Sequence, residues 1–155
     1  MAPPNADQSW SIQPLTEQDL PAMLTVERQA HSHPWSEGIF RDCLRSGYRF
    51  AGIADHRGLR AFCVVTNQFD EAHLVNICVS PECQGQGLGR QLLAYLIKRA
   101  KNDGMERLLL EVRRSNKKAL RLYRSAGFER IGVRRGYYPS AQGREDAVVL
   151  SLFLL

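Results

Sequence analysis

The sequence has no long apolar run, few cysteines and few aromatic residues, and each of these shortages excludes a class of protein. No apolar stretch approaches the roughly 20 residues that a membrane-spanning helix needs, and the terminal run 147–155 has only the length of a strand. The four cysteines form no Cys-x-x-Cys pair, which disfavours a zinc site, and they are too few for a disulfide scaffold in 155 residues. We therefore expect a protein without membrane spans or bound metal, whose cysteines stay reduced in the cytoplasm.

The amino-terminal residues lack the features of a secretory signal. Residues 1–9 contain no basic start followed by an apolar stretch, so we expect a flexible lead rather than a signal peptide. No linker and no internal repeat divides the remainder, which predicts a single domain over residues 10–155. With 44% apolar residues, a chain of this length can bury a sizeable core.

Positive charge is concentrated in one part of the chain. The whole sequence has a net charge of +5, but residues 98–135 contain thirteen Lys and Arg against four Asp and Glu, which is +9 and leaves −4 for the remainder. Such a segment is suited to an anionic ligand, such as a phosphorylated cofactor or RNA. A solvated basic helix face would give the same pattern.

Hydrophobic periodicity predicts a mixed α/β fold. Thr16 and Ser36 are typical helix N-caps, and either Ser115 or Asn116 is suited to cap a later helix. The three consecutive leucines 108–110 indicate a strand that is buried on both faces. A strand–helix–strand unit over 72–112 predicts two parallel strands with room for a ligand at their carboxyl ends. The predicted strands are 10–15, 48–54, 59–68, 72–79, 107–112, 128–134 and 147–155, the helices are 16–30, 36–45, 88–102 and 115–127, and a polar loop spans 137–145.

A glycine-rich turn, Gln84-Gly85-Gln86-Gly87-Leu88-Gly89-Arg90, lies between a predicted strand and a predicted helix. Amides at a helix start, aided by the helix dipole, bind phosphate, and glycines let the backbone approach it closely. The spacing differs from the Gly-x-Gly-x-x-Gly of dinucleotide-binding proteins, and the chain has no Gly-Lys-Ser/Thr of nucleotide-triphosphate loops. A tight turn without a ligand is the alternative interpretation.

The segment Gln84-x-x-Gly87-x-Gly89 resembles the Arg/Gln-x-x-Gly-x-Gly/Ala motif of the GCN5-related N-acetyltransferase (GNAT) family. The resemblance implies acetyl-CoA as co-substrate and a mixed central sheet of about seven strands, with helices on both faces and a splay between strands four and five. It also implies that the amides of Gly85, Gln86, Gly87, Leu88, Gly89 and Arg90 bind the diphosphate, and that Ile77, Cys78 and Val79 lie along the pantetheine arm.

Acetyl transfer from a thioester to an amine needs a base for the ammonium and an acid for the departing thiolate. Glu111 follows the three leucines, where burial would raise its pKa as a base requires. Alternatively, it forms an ion pair with Arg113 or Arg114. Tyr123 lies at helical spacing from apolar neighbours, which favours packing over acid catalysis.

A closer resemblance bears on these assignments. Segments around Pro34-Trp35, Leu110-Glu111, Leu122-Tyr123, Tyr137-Tyr138-Pro139 and Gly143–Ala147 are similar to those of bacterial ribosomal-protein alanine N-acetyltransferases. This resemblance implies Glu111 as general base, Tyr123 as general acid and Asn116 as a cofactor contact. It further implies that Trp35, Tyr137 and Tyr138 close over the amino terminus of a peptide, although each could be a hydrophobic plug at the base of a loop.

The resemblance therefore implies an enzyme that acetylates a protein α-amino group directly, in a ternary complex, with no direct requirement for a nucleic acid and no membrane as partner. The expected acceptor is the amino-terminal alanine of a small-subunit ribosomal protein, the eighteenth. A cysteine acyl-enzyme is disfavoured because no histidine lies within four positions of Cys78 or Cys83 in the sequence. The alternatives are an acetyltransferase for a small amine or a lysine side chain, and a non-catalytic RNA- or ribosome-binding module.

Overall fold

The computed structural model describes residues 11–154. The predicted lead 1–9 lies outside the described residues. The expectation of a single domain over residues 10–155 stays a prediction. Short 3-10 turns span Glu17–Asp19 and Pro81–Cys83. No helix in this described range is both long and apolar enough to cross a membrane. The strands are β1 (Ile12–Leu15), β2 (Arg49–Asp55), β3 (Gly58–Gln68), β4 (Glu71–Val79), β5 (Arg107–Arg113), β6 (Glu129–Ser140) and β7 (Gly143–Phe153), and the helices are α1 (Leu20–Ala30), α2 (Glu37–Arg45), α3 (Leu88–Asn102) and α4 (Lys117–Ser125).

The strands form one sheet in the order β1-β2-β3-β4-β5-β7-β6. β4 and β5 are parallel, as the predicted strand–helix–strand unit requires, whereas β7 runs antiparallel to both β5 and β6. The mixed α/β class and the number of strands are therefore confirmed. The pairing of β4 with β5 covers Glu71–Leu74 and Arg107–Leu110 and ends before the carboxyl end of either strand, which agrees with the predicted splay.

The described residues group into two compact units, 11–64 with 76–95 and 65–75 with 96–154. In the first unit, α1 and α2 pack side chains onto β2, β3 and β4. Both faces of β3 are covered there, because residues 61–64 are all buried. The buried cluster consists of Leu20, Met23, Leu24, Val26, Phe40, Phe50, Phe62, Val64 and Cys78.

Helix starts follow the predicted capping residues. The Thr16 side chain accepts a hydrogen bond from the Gln18 amide at 3.3 Å, and Asp19 accepts one from the Thr16 amide at 2.8 Å, so this capping box begins the 3-10 turn that leads into α1. The Ser36 side chain caps α2 by accepting a hydrogen bond from the Ile39 amide at 3.3 Å. Of the two candidates for α4, the structure uses Asn116, whose side chain accepts from the Ala119 amide at 3.1 Å.

In the second unit, β5 departs from the expectation of burial on both faces. Leu108, Leu110 and Val112 are buried, whereas Leu109 and Glu111 on the other face are only half-buried. Alternate residues of a strand share a face, so Leu109 lies on the face that carries charged side chains of the same strand. Charged groups retain access to water or to ion partners, and this keeps the face partly open.

The predicted polar loop over 137–145 is wrong. β6 and β7 continue through it as a hairpin, with Tyr138 opposite Glu145 and Ser140 opposite Gly143. Its polar composition suggested a loop, but residues 137–145 are exposed or only half-buried, so this hairpin needs no fully buried apolar positions. The register shifts between Arg134 and Tyr138, where β6 has more residues than β7 and forms a bulge.

Candidate active site

In the first unit, the glycine-rich turn exposes a row of backbone amides. Gly85 and Gly87 have φ of +81° and +84°, a left-handed conformation that other residues rarely adopt. Among residues 11–154, no backbone carbonyl accepts from the amides of residues 85–89, and the first hydrogen bond of the helix runs from Gln91 to Gly87. A Cβ added at Gly85 or Gly87 would have no protein atom within 4 Å. These amides can therefore reach an anion at the start of α3.

The turn is tied to the end of β4. The Gln84 side chain donates to the carbonyl of Val79 at 3.3 Å, which gives the first residue of the motif a structural role. Ile77 and Val79 are half-buried and share one face of β4. Cys78 points to the opposite face, where it is 2% exposed, so only its backbone can face a ligand alongside Ile77 and Val79.

The Cys78 thiol is not suited to nucleophilic attack. Its Sγ donates to the Val26 carbonyl at 3.6 Å, and burial, followed by the nearby charge of Glu27, raises its pKa. The structure does place His31 close to it, which the sequence spacing did not indicate. Because a protonated, buried thiol is a poor nucleophile, direct transfer remains the favoured chemistry.

Trp35 lies two residues before α2, in the segment that joins α1 to α2. Its ring packs edge-on against Phe40, with centroids 5.3 Å apart, and its backbone amide donates to the carboxylate of Glu27 at 2.9 Å. The ring is half-buried, so its burial does not separate the plug from the slot-wall interpretation, and the slot-wall role stays a prediction. Glu27 was not among the predicted site residues.

In the second unit, Glu111 has one paired and one unpaired carboxylate oxygen. Its Oε1 lies 3.3 Å from Nε of Arg134 on β6, and its side chain is 27% exposed. Its Oε2 is buried and has no hydrogen-bond partner in the part of the chain that the structure describes. The alternative pairing with Arg113 or Arg114 is wrong, because these two arginines pair with carboxylates of β7.

Tyr137 and Tyr138 lie beside the Glu111 carboxylate. Their rings are 5.0 Å apart and nearly perpendicular, and Arg134 stacks on Tyr137 at 5.3 Å. Burial, followed by the negative charge of Glu111, raises the pKa of Tyr137, and the same two causes raise the pKa of Tyr138 to about 12. Both phenols therefore stay neutral and can donate hydrogen bonds at neutral pH.

Tyr123 is a buried residue of α4, 4% exposed, and its ring contacts Phe128 edge-on at 5.6 Å. The packing role that its spacing indicated is therefore present. Burial, followed by an electrostatic contribution from Tyr138, also raises the pKa of its hydroxyl, so the proton needed by a general acid is retained. Asn116, at the start of the same helix, is exposed and caps it.

The tyrosine-bearing bulge is held by residues of β7. Arg144 donates from Nε to the Gly136 carbonyl at 2.9 Å and from Nη2 to the Tyr137 carbonyl at 3.1 Å. Asp146 accepts from the Gly136 amide at 2.9 Å. These three bonds fix the irregular stretch between Arg134 and Tyr138, where ladder hydrogen bonds are disrupted.

A second brace holds the end of β6. Arg113 donates to the Pro139 carbonyl at 2.6 Å and to Oε1 of Glu145 at 3.0 Å, and it lies over the Tyr138 ring at 4.5 Å. Glu145 also accepts from the Ser115 amide at 3.2 Å. The side chains of the Gly-Arg-Glu-Asp segment therefore hold the β6 backbone that carries the two tyrosines. The sequence motif alone did not indicate this role.

Comparison with known proteins identifies close relatives. The sequence model of the Acetyltransferase (GNAT) family matches residues 10–128. The chain is 42% identical over 142 residues to ribosomal protein bS18-alanine N-acetyltransferase of Escherichia coli strain K12, covering 92% of this chain and 96% of that protein. The crystal structure of the ribosomal-protein-S18-alanine N-acetyltransferase from Escherichia coli matches with a TM-score of 0.88 over 93% of each chain. Ard1 from Thermoplasma volcanium, 19% identical with a TM-score of 0.85 over 94% of this chain and 97% of that one, shares the fold.

Proposed function

Because the chain belongs to the acetyltransferase (GNAT) family, we propose that it transfers an acetyl group from acetyl-CoA to a protein α-amino group. We further propose that the acceptor is the amino-terminal alanine of ribosomal protein bS18, which is the acceptor named for the Escherichia coli relative at 42% identity. With a ribosomal protein as acceptor, we propose that the reaction takes place in the cytoplasm.

The glycine turn supports acetyl-CoA as the acetyl donor. Acetyl-CoA supplies an acetyl group activated as a thioester. The amides of Gly85 to Arg90 would bind its diphosphate, since those of residues 85–89 donate to no backbone carbonyl in the described range and glycine leaves space beside them. The β4 segment Ile77–Val79 and the side chain of Asn116 are the further proposed contacts.

The unpaired Oε2 of Glu111 is the observation that carries the proposed base. A buried carboxylate oxygen without a partner is costly, and such groups recur where a proton or ligand is bound. Arg134, at 3.3 Å from Oε1, fixes the carboxylate without occupying Oε2. Oε2 can therefore take the proton of the acceptor ammonium, directly or through one water.

Tyr123 is the proposed acid. Its raised pKa keeps the hydroxyl protonated at neutral pH, and its contact with Phe128 fixes the direction of the ring. The protonated phenol can hydrogen-bond to the departing thiolate and pass its proton on in concert with proton uptake from solvent, because a thiol pKa of about 8.5 lies below that of the phenol and transfer from the phenol alone would run uphill.

The proposed acceptor slot uses aromatic side chains. Tyr137 and Tyr138 stand on a bulge fixed by β7, and Trp35 stands on a segment fixed by Glu27. Rigid aromatic walls can admit a narrow chain end and exclude a branched side chain. This favours a free amino terminus over a lysine or a small amine.

The experiment that tests this proposal measures coenzyme A release with three acceptors. These are a peptide that begins with alanine, the same peptide with a blocked amino end and an internal lysine, and a polyamine. The proposal predicts release only with the free-ended peptide, with the acetyl group located on its α-nitrogen by mass spectrometry. Release with the blocked peptide or with the polyamine would instead support the side-chain or small-amine alternative.

A control separates the RNA-binding alternative. Titration with a structured RNA at low and at moderate salt would reveal salt-sensitive binding by the basic segment. RNA binding together with a lack of coenzyme A release from every acceptor would contradict the proposed function.

A further inference from the structure

Glu27 on α1 is a buried acid that has no part in the proposed proton transfers. It is 1% exposed, and within the described range the one basic group at ion-pair distance is His31, whose Nε2 lies 3.6 Å from Oε1. Burying a carboxylate is costly unless it is paired and hydrogen-bonded. The contacts that Glu27 makes are therefore the reason to look for its role.

Two strong hydrogen bonds converge on this carboxylate. The Trp35 amide donates to Oε2 at 2.9 Å, and Nδ2 of Asn76 donates to Oε1 at 2.9 Å. Hydrogen bonds to a charged acceptor are shorter and stronger than neutral ones. Glu27 thus joins α1, the segment that carries Trp35, and the β4 residue that immediately precedes Ile77.

A metal site at this junction is disfavoured. Glu27, His31 and Cys78 place one ligand atom each within 4.8 Å of one another. However, both carboxylate oxygens already accept hydrogen bonds, and burial raises the pKa of the Cys78 thiol, which a metal would need as thiolate. The cluster is therefore a hydrogen-bond junction.

We propose that Glu27 is the positioning residue for the acceptor slot, because it anchors the backbone of Trp35 at a fixed distance from β4. The inference rests on the proposed function, in which Trp35 walls the slot. Trp35 is held on its other side by Phe40, 5.3 Å away, so the ring has one packing anchor and one backbone anchor. Loss of the backbone anchor frees the segment between α1 and α2 and leaves the ring contact to hold it alone.

Glu27→Gln is the sharpest variant because it keeps the shape of the side chain. Gln offers one acceptor oxygen in place of two and carries no charge, so the charge-assisted bond from the Trp35 amide becomes a weaker neutral bond or is lost. The expected result is a KM for the alanine peptide raised about tenfold, with kcat and the KM for acetyl-CoA within about twofold of wild type. Arg28→Gln removes an exposed charge at the next position of α1 and should change none of the three.

Fluorescence gives a readout that is independent of turnover. The chain has two tryptophans, so Trp10→Phe leaves Trp35 as the sole reporter. In this background, Glu27→Gln should make Trp35 more accessible to acrylamide quenching, whereas Arg28→Gln should not. An unchanged peptide KM, or an equal change in kcat and in both KM values, would overturn the inference.

Two further results separate the possible failures. If Glu27→Gln does not fold, Glu27→Asp keeps the charge but shortens its reach, and a folded Glu27→Asp with unchanged peptide KM and quenching would overturn the inference. If the wild type releases no coenzyme A with the peptide, the proposed function fails and the assignment to an acceptor slot fails with it. Increased quenching in Glu27→Gln would then support only the anchoring of Trp35.

Discussion

Among single residues, Glu111 and Tyr123 carry the proposed chemistry, the first as proton acceptor and the second as proton donor. The sequence could indicate Glu111 through its place after three leucines, but not the partner of its carboxylate. The partner is Arg134, which lies 23 positions later in the numbering and becomes a neighbour only because β6 pairs with β7 and β7 with β5. Contacts of this kind follow from the register of a sheet, which local patterns do not contain.

Glu111→Gln tests the base. The amide cannot accept the ammonium proton at neutral pH, so turnover should fall roughly 10²–10⁴-fold while acetyl-CoA binding is retained. Coenzyme A release at saturating donor measures the first quantity, and titration with acetyl-CoA measures the second. Unchanged turnover would reject Glu111 as base, and lost acetyl-CoA binding would indicate a structural role instead.

Tyr123→Phe tests the acid. The substitution removes the hydroxyl but keeps the ring, whose contact with Phe128 at 5.6 Å should preserve the fold. Turnover should fall roughly 10²-fold with little change in melting temperature. A large loss of melting temperature with normal turnover of the folded fraction would mean that the residue serves packing alone.

At the scale of elements, the helix and strand boundaries were largely predictable because caps and glycines mark them. α3 has the predicted bounds, Leu88–Asn102, and Gly104 ends it with φ of +77°. The hairpin of β6 and β7 was not predictable, because its bulge is held by hydrogen bonds between the side chains of Arg144 and Asp146 and the backbone of Gly136. The polar composition of residues 137–145 is typical of a loop, whereas the pairing of Tyr138 with Glu145 and of Ser140 with Gly143 makes this segment a hairpin.

Gly87→Ala tests the glycine turn. A residue with a Cβ at φ of +84° carries strain of about 1 kcal/mol, but the Cβ itself meets no protein atom within 4 Å. The protein should therefore fold with a slightly lower melting temperature, while the KM for acetyl-CoA rises because the Cβ blocks close approach of the diphosphate. Kinetics at varied acetyl-CoA and a thermal melt measure the two effects.

Gly104→Ala is the matched control for this variant. Gly104 has a similar φ of +77° and similar open space, but it lies at the other end of α3. It should lower the melting temperature by a similar amount and leave the KM for acetyl-CoA unchanged. Equal KM values for the two variants would contradict a diphosphate site at the turn.

At the scale of the whole molecule, the GNAT resemblance inferred from the motifs is confirmed by the family match and by the relatives. The predicted mixed α/β class is confirmed, because the glycine turn and the strand–helix–strand unit can each be recognised in a short stretch of sequence. The buried hydrogen bonds of Glu27 could not be predicted from short stretches of sequence, because its partners Trp35 and Asn76 are 8 and 49 positions away. A carboxylate in an amphipathic helix is usually solvated, so its burial could not be read from the pattern.

The raised pKa of Tyr138 determines how the free energy of unfolding depends on pH in the alkaline range. Unfolded tyrosines ionise near pH 10, whereas Tyr138 in the folded protein keeps its proton to about 12. Above pH 10 the unfolded chain therefore binds fewer protons, and the free energy of unfolding falls as the pH rises toward 12. Urea unfolding at about pH 8 and about pH 11 should show this fall, and Tyr138→Phe should reduce it; an equal fall in the variant would contradict the contribution of Tyr138.

Acetyl transfer by this chain depends on binding of the acetyl-CoA diphosphate by the turn from Gly85 to Arg90, as proposed above. Titration calorimetry of the folded wild type with acetyl-CoA tests it most directly. We expect saturable uptake of one acetyl-CoA per chain, weakened in Gly87→Ala and kept in Gly104→Ala. Folded protein that takes up no acetyl-CoA would contradict it.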